Sequence, residues 1–141
     1  MNDANHEDFV LAADDGHEIH VQTWKPAGEP VGVIQLLHGL GEHIRRYERF
    51  ARVAVERGYA VFGHDHRGHG LSDGERGYFA DENGWHKVVE DVRVVTDHVR
   101  EAHPSEPVFL VAHSMGSFIG ETFAMHYGAR LQGLLLSGSS W

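Results

Sequence analysis

The sequence predicts an α/β fold, in which a mostly parallel sheet carries helices on both faces and forms one domain over residues 1–141. Short apolar runs alternate along the chain with amphipathic stretches of helical spacing, as in units where a helix connects two parallel strands. Several of these runs are almost continuously apolar, which is typical of strands covered on both faces. Two short strand-like segments precede the alternation and predict an antiparallel hairpin.

The first half of the chain contributes the hairpin, two buried strands and one helix. A turn at residues 14–16 separates the hairpin strands, and the alternation in the second of them predicts a strand with one exposed face. Gly58 is expected to end the helix, because glycine readily adopts the conformation that closes one. The predicted strands are residues 8–13, 18–24, 31–37 and 59–63, and the predicted helix is residues 44–57.

The second half contributes two further helices and two further strands. A polar connection runs to about Asn83, and the helix after it has a valine face that we expect to be buried. Trp24 and Trp85 are also predicted core residues. Because ligands of parallel sheets bind beyond the carboxyl ends of the strands, the loops there are expected to converge on a site. The predicted elements are a helix at 85–103, a strand at 108–112, a helix ending at Gly128 and a strand at 131–136.

One of these loops has the layout of a nucleophile elbow, in which a serine occupies a sharp turn between a buried strand and a helix. Residues 112–116 read Ala-His-Ser-Met-Gly. The usual pattern is Gly-x-Ser-x-Gly, because small residues on both sides let strand and helix approach closely. Ala112 departs from it by one methyl group. The alternative interpretation is that Ser114 is an ordinary helix N-cap.

Attack by a serine on an ester carbonyl needs a nucleophile, a base and hydrogen-bond donors for the oxyanion. Ser114 is the candidate nucleophile, and the backbone N–H of Met115 is the first candidate donor. The second is the N–H of Leu40, in a loop where glycines at 39 and 41 allow a tight turn. Each such donor stabilises a transition state by about 3–4 kcal/mol.

Three loop sequences together resemble those of monoacylglycerol lipases and lysophospholipases of the α/β-hydrolase fold. They are His-Gly-Leu-Gly-Glu-His at 38–43, His-Asp-His-Arg-Gly-His-Gly-Leu-Ser-Asp-Gly at 64–74, and Ala-His-Ser-Met-Gly at 112–116. A second departure is Ser117, where another glycine is common. The resemblance implies Ser114 as nucleophile, Leu40 and Met115 as oxyanion amides, no cofactor, and a lipid-like ester with one long acyl chain. A general esterase or an aminopeptidase-like hydrolase is the nearest alternative.

The resemblance also implies residues that this sequence does not supply. In α/β-hydrolases the triad acid and histidine follow the serine in chain order. The chain is therefore expected to be the N-terminal part of an α/β-hydrolase, ending before the acid, the histidine and the cap, with little turnover alone. A surrogate base among nearby histidines is not favoured. Those considered are His38 and His43, expected to shape their loop, His113, expected to point away, and His126, within a helix.

Two other classes of function remain open. A zinc hydrolase would use His64, His66 and His69, but Gly68 stands where the two-metal pattern needs an aspartate. In the favoured interpretation, Asp65 and Arg67 form a structural ion pair or turn beside the elbow. The other class is a non-catalytic relative that acts as a binding protein.

Composition limits the partners. The net charge of −9 leaves no basic surface for nucleic acid, and the absence of cysteine excludes thiol chemistry. No apolar run approaches the roughly 20 residues that span a bilayer, and the first residues are polar and acidic. We therefore expect a cytoplasmic protein that touches membrane surfaces transiently. Exposed leucines at 134–136 on an edge strand predict poor solubility or a dimer.

Overall fold

The computed structural model describes residues 5–140, which fold around one six-stranded sheet of order β1-β2-β4-β3-β5-β6. The pairs β1/β2 and β2/β4 are antiparallel, and the other three pairs are parallel. This arrangement confirms the predicted α/β fold and its N-terminal hairpin. The strands are β1 (His6–Ala12), β2 (Glu18–Trp24), β3 (Gly32–Leu37), β4 (Tyr59–His64), β5 (Val108–His113) and β6 (Gly133–Ser137); the helices are α1 (Glu48–Glu56), α2 (Gly84–Ala102) and α3 (Met115–Tyr127).

The helices cover both faces of the sheet, as predicted. On one face α1 buries Ala51, Ala54 and Val55 against strand residues such as Leu36 and Val61. On the other face α2 and α3 pack over the remaining core residues, and the predicted valine face of α2 is buried throughout. Within residues 5–140, no helix is both long and apolar enough to cross a membrane.

The prediction that β2 has one exposed face is wrong. Six of its seven residues are buried, because β2 lies between β1 and β4 and both of its faces are covered. Ile19 and Val21 pack with the core beneath α2, whereas Trp24 packs with the core beneath α1. The polar residues between them have partners: the ring of His20 lies 3.2 Å from Asp8, and Gln22 bonds the ring of His6.

Two further expectations about helices need correction. Trp24 is a core residue as predicted, but Trp85 is 42% exposed, because it lies in the first turn of α2. Its Nε1–H reaches across to Thr122 Oγ1 on α3, at 3.2 Å. The helix predicted over residues 44–57 begins as a 3₁₀ turn, Ile44–Tyr47, before α1. Gly58 ends it in a left-handed conformation (φ +88°), as expected.

The outer strand β6 pairs only with β5 in the described part of the chain. Leu134 and Leu135 are 40% and 57% exposed, which confirms the predicted apolar edge for these two residues. Leu136 is less exposed, because it packs against the core beneath α3; it shares a face of β6 with Leu134, whereas Leu135 points to the opposite face.

Candidate active site

Ser114 occupies the turn between β5 and α3 with φ 53° and ψ −122°. Residues other than glycine rarely adopt a positive φ, so the turn stores strain. Its backbone N–H donates to the Ser137 carbonyl (2.8 Å), and its carbonyl accepts from the N–H (2.8 Å) and hydroxyl (2.6 Å) of Ser117. The Ser114 hydroxyl caps no helix N–H, which removes the basis of the N-cap interpretation. The layout is that of a nucleophile elbow.

Two glycines of α3 allow the close approach that this elbow requires. A methyl group at Gly116 would lie 2.5 Å from the His38 carbonyl oxygen and 2.7 Å from that of Leu37. A methyl group at Gly120 would lie 3.3 Å from the Ala112 Cβ. Ala112 is therefore accommodated by Gly120, one turn into the helix, which the local sequence pattern did not single out.

The loop after β3 lies directly against the elbow. A methyl group at Gly39 would stand 3.2 Å from the Ser114 Cβ, and Gly41 adopts a left-handed turn (φ +71°). The Gly39 N–H is already engaged, because it donates to Glu42 Oε2 at 2.7 Å. The N–H groups of Leu40 and Met115 donate to no group within residues 5–140. These two free amides are the ones that the sequence predicted as oxyanion donors.

Glu42 is a loop-holding residue that the sequence analysis missed. Its carboxylate accepts the Gly39 N–H, the Tyr47 hydroxyl at 3.0 Å and an ion pair from Arg46 at 3.2 Å. Burial alone would raise the pKa of Glu42, but the Gly39 and Tyr47 hydrogen bonds lower it below its ordinary value. Glu42 is therefore ionised at neutral pH. The sequence signal for its loop-holding role is an acidic residue three positions after a loop glycine.

Four buried histidines, His38, His64, His66 and His69, fill the space beneath this loop and are called the histidine cluster below. The His38 and His66 rings lie 4.2 Å apart between centroids. The His66 N–H donates to His38 Nε2 at 3.0 Å, and His66 Nε2–H donates to the His38 carbonyl at 3.0 Å. Burial lowers the pKa of His38 to about 4 and that of His64 to about 3, and it holds that of His66 well below its ordinary value. All three are therefore neutral at pH 7.

The zinc interpretation finds no support in the geometry of these rings. The His66 ring lies 5.2 Å from the His64 ring and 6.4 Å from the His69 ring, both edge-on. His66 Nε2 is taken up by the His38 carbonyl. Nowhere between residues 5 and 140 do three or more His, Asp or Glu side chains form a group that could hold a metal ion.

Asp65 and Arg67 both hold the loop after β4, as expected, but they do so without the ion pair between them that was one of the two expected arrangements. Arg67 forms two hydrogen bonds to Asp91 on α2, at 2.7 and 2.8 Å, and two to Asp15 in the hairpin turn, at 3.0 and 3.2 Å. Asp65 accepts the N–H groups of Ile44 (2.7 Å) and Leu71 (2.9 Å). The two side chains thus fix the loop after β4 to different elements.

No base reaches the serine within the described part of the chain. His113 follows β5 and directs its Nδ1 to Ser137 Oγ at 3.2 Å, consistent with the expectation that it points away. His126 is exposed on α3, and His43 is exposed at the start of the 3₁₀ turn. No histidine ring among residues 5–140 hydrogen-bonds Ser114 Oγ.

An open cavity of ≈ 480 Å³ lies beside the elbow, between the loop after β3 and the β5–β6 edge. Its polar rim includes Glu42, Arg46 and Tyr47, and its floor includes Val111 and Leu135. A second, more apolar cavity of ≈ 370 Å³ shares the wall residues Phe50, Val111 and Leu135 and continues along the sheet face. Together they offer a polar end near Ser137 and an apolar extension.

Comparison with known families gives a match to the serine aminopeptidase S33 family over residues 28–140. Among curated proteins, the chain is 40% identical over 122 residues to the human monoglyceride lipase, covering 86% of this chain and 39% of that protein. It is 33% identical over 138 residues to the monoacylglycerol lipase of Mycolicibacterium smegmatis, covering 98% and 48% respectively. The chain thus spans less than half the length of these relatives.

Solved structures agree with this likeness. A thermostable carboxyl esterase from Bacillus coagulans, solved with glycerol, superposes with a TM-score of 0.89 at 33% identity, covering 96% of this chain and 44% of that one. A lipase in its open form gives 0.84 at 30% identity, covering 93% and 43%. An epoxide hydrolase from Vigna radiata, at 21% identity and a TM-score of 0.80, shares the fold.

Proposed function

The chain belongs to the serine aminopeptidase S33 family of α/β-hydrolases, and on that premise we propose that it carries the nucleophile and oxyanion hole of a serine hydrolase that cleaves carboxylic esters. One observation carries the proposal. Ser114 sits in a strained turn, and the two nearby amides of Leu40 and Met115 have no partner within residues 5–140. Unpaired donors beside a strained serine are what acyl transfer requires.

The substrate that we propose is a monoacylglycerol or a lysophospholipid. Relatives that are 40% and 33% identical are named for action on monoglycerides or monoacylglycerols. The cavity near the elbow is lined by His113 and Ser137 rather than by Ser114 itself, and its polar rim suits the hydroxyl groups of a glyceryl ester. Its apolar continuation suits an acyl chain.

In the proposed reaction, Ser114 Oγ attacks the ester carbonyl carbon while a base takes the hydroxyl proton. The N–H groups of Leu40 and Met115 stabilise the oxyanion, and its collapse expels the alcohol, which takes up the proton from the base. Water then hydrolyses the acyl-enzyme by the same two steps. The base must come from outside residues 5–140, since no histidine there reaches Ser114. In α/β-hydrolases, the acid and the histidine follow the serine in the chain.

Hydrolysis assays on a continued chain test this proposal. Residues 1–141 are joined to the segment that follows the matching region of the human monoglyceride lipase, which supplies a base and an acid. We expect hydrolysis of monooleoylglycerol that is lost in Ser114→Ala. The matched control is Ser105→Ala, an exposed serine before β5, which should retain full activity.

Other outcomes separate the competing functions. Undiminished ester hydrolysis in Ser114→Ala contradicts the proposal. Faster cleavage of an aminoacyl p-nitroanilide than of monooleoylglycerol favours the aminopeptidase-like alternative, and lipid binding without turnover favours a binding protein. The 141-residue chain alone should show little turnover, and Ser114-dependent turnover by it would contradict the need for an added base.

A further inference from the structure

We propose that His66, acting through His38, is a positioning residue that sets the direction of the Leu40 N–H. The inference rests on the proposed function, in which that N–H stabilises the oxyanion. Neither ring touches the reacting atoms, so the effect passes through the backbone of the loop after β3.

The Leu40 N–H belongs to the same peptide plane as the Gly39 carbonyl. A trans peptide directs its C=O and N–H in opposite directions, so fixing one fixes the other. The Gly39 carbonyl accepts two hydrogen bonds, from His38 Nδ1 at 2.8 Å and from the Glu42 N–H at 3.3 Å. A flip of this peptide would turn the Leu40 N–H away and would break both bonds.

The backbone N–H of residue 66, which substitutions there retain, determines which ring nitrogen of His38 carries the proton, and the His66 ring adds a second contact to the His38 carbonyl. The His66 backbone N–H donates to His38 Nε2 at 3.0 Å, so Nε2 is the acceptor and Nδ1 carries the hydrogen. Only that tautomer can donate to the Gly39 carbonyl. In return, His66 Nε2–H donates to the His38 carbonyl at 3.0 Å. The two histidines are fully buried, so no water competes for these bonds.

The same contact fixes the spacing between the two oxyanion amides. The His38 carbonyl lies so close to α3 that a methyl group at Gly116 would stand 2.5 Å from its oxygen. Leu40 is two residues from His38, and Met115 precedes Gly116. By holding the His38 carbonyl, the His66 ring therefore holds the loop against the first turn of α3.

His64 provides a matched comparison within the histidine cluster. It is as buried as His66 and its ring lies 5.2 Å from the His66 ring, but neither of its nitrogens has a hydrogen-bond partner among residues 5–140. Replacing His64 therefore changes the packing of the cluster without removing a hydrogen bond from the loop. Replacing His66 removes the hydrogen bond from its Nε2–H to the His38 carbonyl, on which the position of the loop depends.

Nitrogen-15 NMR of the 141-residue chain tests the inference without requiring turnover. We expect the Nδ1–H tautomer for His38, the Nε2–H tautomer for His66, and a Leu40 amide free of conformational exchange. His66→Leu should introduce exchange at Leu40, whereas His64→Leu should not. His66→Gln should restore the wild-type behaviour, because its side-chain amide can donate from the position of Nε2.

Kinetics of the continued chain give the second readout. His66→Leu should lower kcat by about 10²-fold with little change in KM, as displacement of one oxyanion donor does, whereas His66→Gln should retain most of kcat. Opposite tautomers in the wild-type chain would overturn the inference, even if His66→Leu fails to fold. So would equal effects of His64→Leu and His66→Leu, or a folded His66→Gln that behaves like His66→Leu. A Ser114→Ala variant that keeps full activity would instead overturn the proposed function alone.

Discussion

The histidine cluster lies at the carboxyl ends of β3 and β4, which β5 separates from the outer strand β6, and the two regions differ in how far their side chains are covered. His38, His64 and His66 are fully buried, whereas Leu134 and Leu135 on β6 are 40% and 57% exposed. Ser114, in the turn after β5, donates its backbone N–H to the Ser137 carbonyl of β6. Residues 5–140 therefore hold Ser114 and the loop after β3 in place but leave the β6 edge of the sheet open.

This difference in burial indicates which positions among residues 5–140 tolerate substitution least. Around the elbow, glycine is required at Gly116 and the serine backbone is strained, so small changes there should have large effects. Along β6, side chains face open cavities, so changes there should alter association more than stability.

Acidification should have the largest effect, because burial lowers the pKa values of His38, His64 and His66 and so keeps them neutral in the folded chain at pH values where the unfolded chain binds protons. The folded pKa values of His38 and His64 lie near 4 and 3, below the ordinary value near 6.5. Below about pH 6.5 the unfolded chain binds more protons, so stability present above that pH is lost as the pH falls. Each such histidine contributes a loss of about 1.4 kcal/mol per pH unit. Urea unfolding from pH 7.5 to 4.5 measures this loss.

Substitutions separate the cluster from general acid effects. His64→Leu removes one titrating ring and should shift the acid-unfolding midpoint to lower pH. His126→Gln alters an exposed histidine and should leave the midpoint unchanged. Equal midpoints for wild type and His64→Leu would show that burial of the cluster does not control acid stability.

Gly116→Ala should destabilise the chain by about 3 kcal/mol, the upper range for overpacking against backbone that cannot move aside. The added methyl would meet the His38 carbonyl oxygen at 2.5 Å. Gly28→Ala is the control, because no atom of the described residues lies within 4 Å of a methyl group there and its φ is not positive. Chemical denaturation compares the two, and a Gly116→Ala variant as stable as Gly28→Ala would mean that the elbow is not tightly packed.

Ser114→Gly should stabilise the chain by about 1–2 kcal/mol, because glycine relieves the positive φ that serine tolerates poorly. Ser114→Ala keeps the backbone strain and should leave stability nearly unchanged. Thermal unfolding of this pair isolates backbone strain from loss of the hydroxyl. Equal stability of both variants would argue against a strained elbow.

Leu135→Lys should give the smallest change in unfolding free energy, within about 0.5 kcal/mol, because the side chain is already largely exposed. It should nevertheless reduce self-association, since a charge on an edge strand opposes edge-to-edge pairing. Val31→Lys, at an exposed position before β3, is the control for general loss of apolar surface. Sedimentation velocity measures the self-association of both variants. Equal reductions by Leu135→Lys and Val31→Lys would mean that the chain associates through a surface other than β6.

Sequence patterns predicted the alternation of strands and helices because apolar spacing reports burial locally. They failed where burial depends on neighbours distant in sequence. The alternation in β2 indicated an exposed face, but pairing with β1 and β4 buries His20 and Gln22. Trp85 looked like core, but its place in the first turn of α2 leaves it exposed.

In the candidate site, too, local sequence predicted some features, whereas contacts between distant parts of the chain could not be predicted. The elbow motif and the loop glycines are local signals, and in the structure Gly39, which precedes Leu40, lies against Ser114. The partners that hold them were not visible in the same way. Arg67 pairs with Asp91, 24 residues along the chain, and Ala112 fits against Gly120 only because of how α3 crosses β5.

In the proposed function, Ser114 is a nucleophile that faces the N–H groups of Leu40 and Met115. The most direct test of this role is mass-spectrometric mapping of the adduct that a fluorophosphonate forms with the chain continued past Trp141. The account predicts one adduct, on the peptide that contains Ser114, and its loss in Ser114→Ala. Stoichiometric labelling of another residue, or ester turnover by a protein whose Ser114 stays unmodified, would contradict it.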